Sequence, residues 1–201
     1  VQLSINLNCS APTPGKQIDN HTTFCPGTFY AQNMNVTVDN INVTCDGTTI
    51  AKPSSESFDS GDNIDAGLEI YNRNNITVKG CGWEDLTYGV YFEDSSNVTI
   101  INHSSTESGL DCTSSINTIV ANSTWKFSNF QSCNSTLFYG NIVSNPTGFW
   151  GSTIFDTYNS IFRNNTWNNT YSSLYLSTGS VYNTTFYHNI FKDIGGIYVD
   201  I

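Results

Sequence analysis

The sequence predicts an all-β solenoid, and three observations lead to that fold class. A short strand-like phrase begins at Gly67, Gly89 and Gly109, which are 22 and 20 residues apart. A second strand-like phrase follows most of these, as at residues 75–78 and 97–100. A period of roughly 20–25 residues built from short strands is typical of solenoids. In such a fold each coil buries its inner side chains against its neighbours along one axis.

Taken in order along the chain, the segments fit one solenoid of about seven or eight coils. Residues 1–30 are predicted to form an N-terminal cap, since 1–7 alternate apolar and polar residues and repeated Pro and Gly follow. Residues 28–50 form the first coil, and the polar stretch 52–65 is a loop inserted into the period. Residues 67–201 form regular coils, so residues 1–201 are predicted to be a single β-solenoid domain.

Alternation within each strand predicts which side chains form the core. In the phrase that begins at Gly67, Leu68 and Ile70 face inward and Glu69 faces outward. The same register buries three later pairs, which are Val90 with Phe92, Leu110 with Cys112, and Leu174 with Leu176. Aromatic residues become frequent after residue 125. Stacking of rings on successive coils is the interpretation we favour, and an aromatic groove for sugar is the alternative.

Composition excludes several classes of partner. The chain has 7 Lys+Arg against 17 Asp+Glu, for a formal net charge of -10. Nucleic acids and anionic lipids need clustered cations, so neither is a predicted partner. No apolar run approaches the ~18 residues of a membrane span, so no membrane insertion is expected. Three acidic residues of the inserted loop, Asp59, Asp62 and Asp65, match no standard calcium loop, and no metal or cofactor is predicted.

The six cysteines predict disulfides in an oxidising compartment. None forms a Cys-x-x-Cys pair, so zinc-type spacing is absent. Cys112 and Cys133 are 21 residues apart, one period, and should be joined on adjacent coils. The remaining pairs are expected to be Cys9 with Cys25 and Cys45 with Cys81. The chain starts at Val1, which we interpret as an extracellular or cell-surface product after removal of a signal peptide.

N-glycosylation sequons are about twice as frequent as the roughly 6 that chance would give. They lie at Asn8, Asn20, Asn35, Asn42, Asn75, Asn97, Asn102, Asn122, Asn134, Asn164, Asn168 and Asn183. We expect several to carry N-linked glycans. The alternative is structural, because Asn suits a tight corner between strands. Asn35, Asn42, Asn75 and Asn97 fit that corner role, whereas Asn102, Asn122, Asn134, Asn164 and Asn168 are expected to fit it less well.

Three segments carry a resemblance to a known family. Residues 24–50 resemble the opening of right-handed parallel β-helix proteins of the NosD-like and pectate-lyase-like kind. Residues 67–81 and 89–100 (Gly-Val-Tyr-Phe-Glu-Asp-Ser-Ser-Asn-Val-Thr-Ile) look like that family's repeat. Many such Asn- and Thr-rich chains are archaeal surface proteins. The resemblance implies a right-handed parallel β-helix, but that fold hosts lyases, hydrolases, adhesins and structural proteins.

The sequence does not predict an enzyme. Related lyases and polygalacturonases use clustered Asp with Arg, Lys or His, whereas this chain has no Asp-Asp pair, no Arg-x-Lys and only two Arg. The best acidic constellation is Glu69, Tyr91 and Asp111, an expected outward column on three coils. Glu69 and Asp111 would lie roughly 10 Å apart, slightly beyond the ~6.5–9.5 Å of inverting glycosidases. No catalytic residue is therefore assigned.

The functional interpretation from sequence is a secreted, glycosylated structural protein. The chain stops within a strand of the repeat, and an open coil end exposes unpaired backbone groups. We therefore expect head-to-tail self-assembly into fibres, hoops or a sheath. In general character the chain resembles the sheath proteins of filamentous methanogens. The expected contact residues are Val1, Leu3, Ile5, Leu7, Ile197, Val199 and Ile201. The alternatives are a carbohydrate-binding or carbohydrate-cleaving β-helix and an adhesin or S-layer-associated module.

Overall fold

The described part of the chain is a stack of strands without helices. The computed structural model describes residues 9–52, 65–105, 107–144, 152–168, 174–177, 182–193 and 197–200. Within these residues three parallel sheets contain nine, eight and eight strands. Each coil contributes one strand to each sheet, which agrees with the predicted solenoid of seven or eight coils. No helix among these residues is long and apolar enough to cross a membrane.

The strands of the three sheets recur in a fixed order along the chain. The first sheet contains Gln17–Ile18, Met34–Val36, Ala66–Tyr71, Tyr88–Glu93, Gly109–Thr113, Ser128–Gln131, Thr153–Phe155, Leu174–Ser177 and Ile197–Asp200. The second contains Thr22–Thr23, Ile41–Thr44, Asn74–Lys79, Ser96–Ile101, Ile119–Ala121, Leu137–Tyr139, Ile161–Arg163 and Thr185–Tyr187. The third contains Gly27–Tyr30, Thr48–Ala51, Gly82–Glu84, Ser104–Ser105, Thr124–Trp125, Ile142–Ser144, Thr166–Asn168 and Ile190–Lys192.

The predicted N-terminal cap is shorter than the sequence analysis proposed. Residues 17–30 form strands of all three sheets, so this part of the proposed cap is itself a coil. Its short strands pair in register with those of the next coil, as Ile18 does with Val36 and Thr22 with Val43. Most of the predicted inserted loop, residues 53–64, lies outside the described residues. At its base Lys52 Nζ lies 2.7 Å from Asp65 Oδ2.

Inward side chains stack in columns, as alternation predicted. Leu68 and Ile70 are buried, and so are the predicted pairs Val90 with Phe92 and Leu110 with Cys112. In the first sheet one column runs through Ile70, Phe92, Cys112, Phe130 and Ile154. The strand Leu174–Ser177 is present, but the side chains of Leu174 and Leu176 lie outside the described residues.

Aromatic rings of the later coils stack inside the solenoid, which confirms the favoured interpretation for these residues. Phe162 and Phe186 stack at 4.8 Å between centroids with an interplanar angle of 10°, and Phe130 of the first sheet meets Phe162 edge-on at 5.4 Å. Trp167 and Phe191 stack at 5.1 Å with an interplanar angle of 12°. Stacked rings of equivalent positions on successive coils contribute burial as well as a favourable ring geometry.

Many corners of the solenoid are formed by asparagines with positive φ. Asn75 and Asn97 have φ of 60° and 54°, so their predicted corner role is confirmed. Asn and Asp tolerate this left-handed conformation better than most residues, since their short polar side chains bond locally. The prediction for Asn35 and Asn42 is wrong, because neither has a positive φ.

Several sequons that were expected to fit corners poorly are in fact corners. Asn102, Asn122 and Asn164 have φ of 59°, 51° and 55°. They lie at the ends of second-sheet strands, where the chain turns toward the third sheet. The strand pattern seen from the sequence marked corners only before the second sheet, so it missed this set. Asn134 and Asn168 have no positive φ, and Asn168 is the last residue of a strand.

All three predicted disulfides are present. They join Cys9 to Cys25, Cys45 to Cys81, and Cys112 to Cys133. Cys112 and Cys133 are 6.3 Å apart between Cα atoms and both side chains are buried. Their position on adjacent coils follows from a separation of one period.

We expect the double variant Cys112→Ala/Cys133→Ala to lose about 3 kcal/mol of unfolding free energy. A cross-link that closes a loop of 21 residues restricts the unfolded chain by roughly that amount. Urea unfolding of both proteins without reductant measures the difference. With reductant the gap should shrink to the packing contribution of the side chains, and a gap that stays unchanged would refute the cross-link account.

Candidate functional site

A column of outward polar side chains crosses the middle of the first sheet. Glu69 pairs with Tyr91, Tyr91 with Asp111, and Asp111 with Asn129. The flanking residues of each strand point into the core, so these four side chains face outward. The predicted outward column of Glu69, Tyr91 and Asp111 is therefore present, and Asn129 extends it by one coil.

Asp111 is more enclosed than the sequence analysis expected. It should have faced solvent, yet only 9% of its surface is exposed. Asn129 Nδ2 donates to Asp111 Oδ2 at 3.2 Å, and Thr113 Oγ1 donates to Asp111 Oδ1 at 3.1 Å. Burial raises the pKa of Asp111, while these two hydrogen bonds act in the opposite direction and the charge of Glu93 adds to the rise. The physical reason for the correction is that neighbouring side chains cover this outward residue.

Three tyrosines surround the acidic groups. The ring of Tyr91 lies 5.5 Å from that of Tyr71 and 5.8 Å from that of Tyr88, between centroids. Tyr88 also meets Phe127 edge-on at 5.7 Å. Burial, followed by the charges of Glu69 and Glu93, raises the pKa of Tyr71 to about 12. The tyrosines therefore stay neutral at physiological pH and present ring faces together with hydroxyl groups.

Glu93 belongs to this site and was not singled out in the sequence. Tyr91 Oη donates to Glu93 Oε2 at 2.8 Å, within one strand. Burial, together with this bond and the nearby charge of Glu93, raises the pKa of Tyr91. The alternation that placed Tyr91 outward also applies to the residue two positions later. That rule could have identified Glu93.

The site is acidic, and the strands of its sheet that the structure describes supply no cation. Glu69 is half-buried, and burial raises its pKa. No described strand of the first sheet contains Lys or Arg. Among the described residues, no group of three or more His, Cys, Asp or Glu side chains is arranged to hold a metal ion. The arrangement provides acceptors, amide and hydroxyl donors, and aromatic faces on one surface.

The predicted assembly residues and glycosylation sites are not tested by the structure. The structure describes only some of the residues expected to join subunits. Five of them lie outside the described residues, namely Val1, Leu3, Ile5, Leu7 and Ile201. Ile197 and Val199 lie in the strand Ile197–Asp200, and their side chains are not among those described. Self-assembly therefore stays a prediction. Of the sequons, Asn8 lies outside the described residues, and the glycan occupancy of the others stays a prediction.

Comparisons with known proteins identify the fold family. The chain matches the structure of a hyperthermoactive exopolygalacturonase from Thermotoga maritima with a TM-score of 0.64 and 13% identity, over 95% of this chain and 67% of that one. A proposed glycosyl hydrolase from Parabacteroides merdae aligns with a TM-score of 0.49 and 12% identity, over 86% of this chain and 83% of that one. Among curated proteins no sequence matches.

Identities this low show a shared fold and no more, and the second alignment adds no argument. The family model described as "Right handed beta helix region" matches residues 66–200. That span includes every residue of the acidic, tyrosine-rich site. The match also gives the handedness that the sequence resemblance implied. The chain belongs to the right-handed beta-helix family.

Proposed function

We propose that the chain binds an uncharged polysaccharide along the outer face of the first sheet. The observation that carries the proposal is the enclosure of Asp111, an outward carboxyl covered by polar and aromatic neighbours. Carboxylates and amides that converge beside aromatic rings are the means by which proteins orient polyhydroxylated ligands. This was the alternative interpretation from the sequence, and it rests on side chains that the structure describes.

The arrangement provides two kinds of contact to a sugar chain. Tyr71, Tyr88 and Tyr91 offer ring faces and edges for the apolar faces of sugar rings. Glu69, Glu93 and Asp111 accept hydrogen bonds from sugar hydroxyls, and Asn129 supplies an amide. The column repeats from coil to coil at the ~4.8 Å spacing of neighbouring strands. An extended chain lying along the solenoid axis therefore meets several of these groups in succession.

Charge selects against acidic sugars. Three carboxyl groups lie close together, and no Lys or Arg in the described first-sheet strands offsets them. The formal net charge of -10 acts in the same direction. A polyuronate would bring like charges together, so a neutral glycan fits the face better. The fold shared with an exopolygalacturonase is compatible with a carbohydrate ligand, but this difference in charge argues for another substrate class.

Affinity electrophoresis tests the proposal. Native gels that contain a neutral β-glucan, a neutral mannan or polygalacturonate should be run with the purified protein. We expect retardation in at least one neutral gel and none in polygalacturonate. Equal mobility in every gel, or retardation by polygalacturonate alone, would contradict the proposal.

Hydrolysis of the bound glycan is a second candidate, and the position of Glu93 favours it. Asp111 and Glu93 lie on adjacent coils, offset diagonally, because Asp111 pairs with Tyr91 two residues before Glu93. Diagonal neighbours are roughly 7–8 Å apart between Cα atoms. Carboxyl groups on side chains with that Cα spacing can reach the ~6.5–9.5 Å that separates the carboxyl groups of inverting glycosidases. Glu69 lies two coils from Asp111, one coil further than Glu93, and therefore fits this separation less well.

The two carboxyl groups have environments suited to different tasks. Burial and the charge of Glu93 raise the pKa of Asp111, which favours its protonated form. In this scheme Asp111 donates a proton to the glycosidic oxygen and Glu93 accepts one from the attacking water. The water oxygen bonds to the anomeric carbon as the leaving sugar departs with the proton from Asp111. The acid must be protonated, so activity should fall as pH rises above the raised pKa of Asp111.

Release of reducing ends separates binding from cleavage. If the chain hydrolyses the glycan that retards it, Asp111→Asn and Glu93→Gln should each lower the rate at least 100-fold. Glu84→Gln, an exposed glutamate on the third sheet, is the matched control and should keep the wild-type rate. If wild-type protein binds the glycan but releases no reducing ends, the site is a binding site alone.

A further inference from the structure

We propose that Asn102, Asn122 and Asn164 are the sequons that carry N-linked glycans among the corner asparagines, whereas Asn75, Asn97 and Asn183 serve the fold. All six have positive φ and exposed side chains. They occupy two different corners of the solenoid. The first set follows strands of the second sheet, and the other set lies at the start of that sheet. The two corners use the side-chain amide differently.

At the corner where second-sheet strands start, the amide nitrogen is engaged. Asn75 Nδ2 donates to Asn40 Oδ1 at 2.9 Å, on the preceding coil. In the same direction Asn97 Nδ2 donates to Asn74 Oδ1 at 2.7 Å. Asn183 Nδ2 donates to Asn159 Oδ1 at 2.9 Å. An N-linked sugar is attached to this nitrogen, so it would replace one hydrogen and crowd the oxygen of the adjacent coil.

At the corner where second-sheet strands end, the side-chain amides bond to none of the residues that the structure describes. Asn102, Asn122 and Asn164 have no side-chain hydrogen bond to any described residue. Their backbone nitrogens bond to the next coil. Asn102 N donates to Ala121 O at 3.1 Å, and Asn122 N donates to Tyr139 O at 3.1 Å. Gly140 and His188 occupy the same corner on other coils with φ of 65° and 53°. The corner therefore needs a residue that tolerates positive φ and does not depend on its side-chain amide.

The residue that follows each of these asparagines stabilises the corner from inside. His103 N donates to Ser123 Oγ at 3.0 Å, and Ser123 N donates to Asn141 Oδ1 at 3.0 Å. Asn141 N continues the series to Asn165 Oδ1 at 2.9 Å. These inner side chains hold successive coils together, so modification of the outer amide costs the fold no hydrogen bond. The sequon hydroxyl groups, on Ser104, Thr124 and Thr166, begin third-sheet strands and are exposed or partly exposed.

Spacing predicts which of the three can be modified together. Asn102 and Asn122 lie on adjacent coils, because Asn102 N bonds to Ala121 O, and neighbouring strands are ~4.8 Å apart. Two branched sugars cannot share that spacing without crowding. Asn164 is separated from Asn122 by the coil of Gly140, so roughly 10 Å lies between them. We infer that one of the first two is occupied in each molecule, while Asn164 is occupied independently.

Glycopeptide mass spectrometry of the folded protein secreted from an N-glycosylating eukaryotic host tests this assignment. We expect glycan at Asn164 and at Asn102 or Asn122, with both of the latter in few intact molecules. We expect Asn75, Asn97 and Asn183 to be unmodified. Glycan at Asn75, Asn97 and Asn183 at the level of Asn164, or unmodified amides at all three proposed sites, would overturn the proposal.

A pair of hydroxyl variants tests the crowding separately. Thr124→Ala removes the Asn122 sequon, and occupancy of Asn102 should then rise. Thr166→Ala removes the Asn164 sequon two coils further on and should leave Asn102 unchanged. If Thr124→Ala has no effect on Asn102 while Asn122 is well occupied in the parent protein, the two sites do not compete and this part of the inference is wrong.

Discussion

The unfolding free energy should fall by about 3 kcal/mol between pH 6.5 and pH 4 on account of one buried histidine. His103 is 3% exposed, and burial lowers its pKa from 6.5 to about 4. The unfolded chain binds a proton in this interval and the folded chain does not. The contribution of His103 is therefore fully present above pH 6.5 and is lost as pH falls toward 4.

The geometry shows why the ring stays neutral. Trp83 Nε1 donates to His103 Nδ1 at 3.0 Å, which requires that nitrogen to be unprotonated. The other ring nitrogen then donates to Val78 O at 3.1 Å. The ring also stacks between Trp83 and Trp125, with centroids at 5.9 Å and 5.6 Å. Protonation would remove the bond from Trp83 and leave a charge inside the solenoid.

Urea unfolding at pH 7 and pH 4 measures this effect, with His103→Gln as the informative variant. Gln is neutral at both pH values and has both an acceptor and a donor. The His103→Gln protein should therefore lose about 3 kcal/mol less unfolding free energy on acidification than the wild type. Glu69 and Asp111 oppose the trend, because raised carboxyl pKa values stabilise the folded state as pH falls. His188→Gln, at an exposed histidine, controls for removal of a histidine. Identical pH profiles for His103→Gln and wild type would refute the assignment.

Replacement of Asn165 by Leu should destabilise the fold by about 3–5 kcal/mol, a large fraction of a domain's stability. Asn165 is fully buried and its Nδ2 donates to Phe138 O at 2.9 Å. Its Oδ1 accepts from Asn141 N at 2.9 Å. Leu has a similar volume but can pair with neither group, so Asn141 N would remain buried without a partner and Phe138 O would lose this bond. Each such group costs about 1–3 kcal/mol.

The same exchange at Asn168 provides the control. This exposed residue ends a strand of the third sheet, and Asn168→Leu should change the unfolding free energy by no more than about 0.5 kcal/mol. Urea unfolding at one pH suffices for both variants. A loss below 1 kcal/mol for Asn165→Leu would mean that neighbouring coils rearrange to satisfy these groups.

The sequence predicted the fold well because a solenoid repeats its own signal. The Gly67, Gly89 and Gly109 phrases gave the period, and alternation around Leu68 gave the inner and outer faces. A separation of one period also gave the Cys112–Cys133 bond. These features depend on local pattern, and each coil reports the same pattern again. The boundary of the cap was less predictable, because short strands such as Gln17–Ile18 carry almost no periodicity.

The site was only partly predictable, because it depends on what covers a residue. Alternation placed Asp111 outward correctly, but its burial comes from Asn129 on the next coil and from nearby tyrosines. The corner role of Asn102 and Asn122 likewise depends on a turn that follows a strand whose end the sequence does not mark. The buried position of His103 could not be predicted from the sequence, because its two tryptophan neighbours are 20 and 22 residues away in the chain.

The central claim, that the outer face of the first sheet binds a glycan, is tested most directly by one binding comparison. The dissociation constant of the neutral glycan that retards the wild-type protein should be measured by calorimetry for Tyr91→Ala and for Tyr187→Ala. Tyr91 lies at the centre of the proposed site, whereas Tyr187 is an exposed tyrosine on the second sheet. We predict at least a tenfold weaker affinity for Tyr91→Ala, or about 1.4 kcal/mol, and wild-type affinity for Tyr187→Ala. Unchanged affinity for Tyr91→Ala, or a loss at Tyr187→Ala alone, would contradict the account.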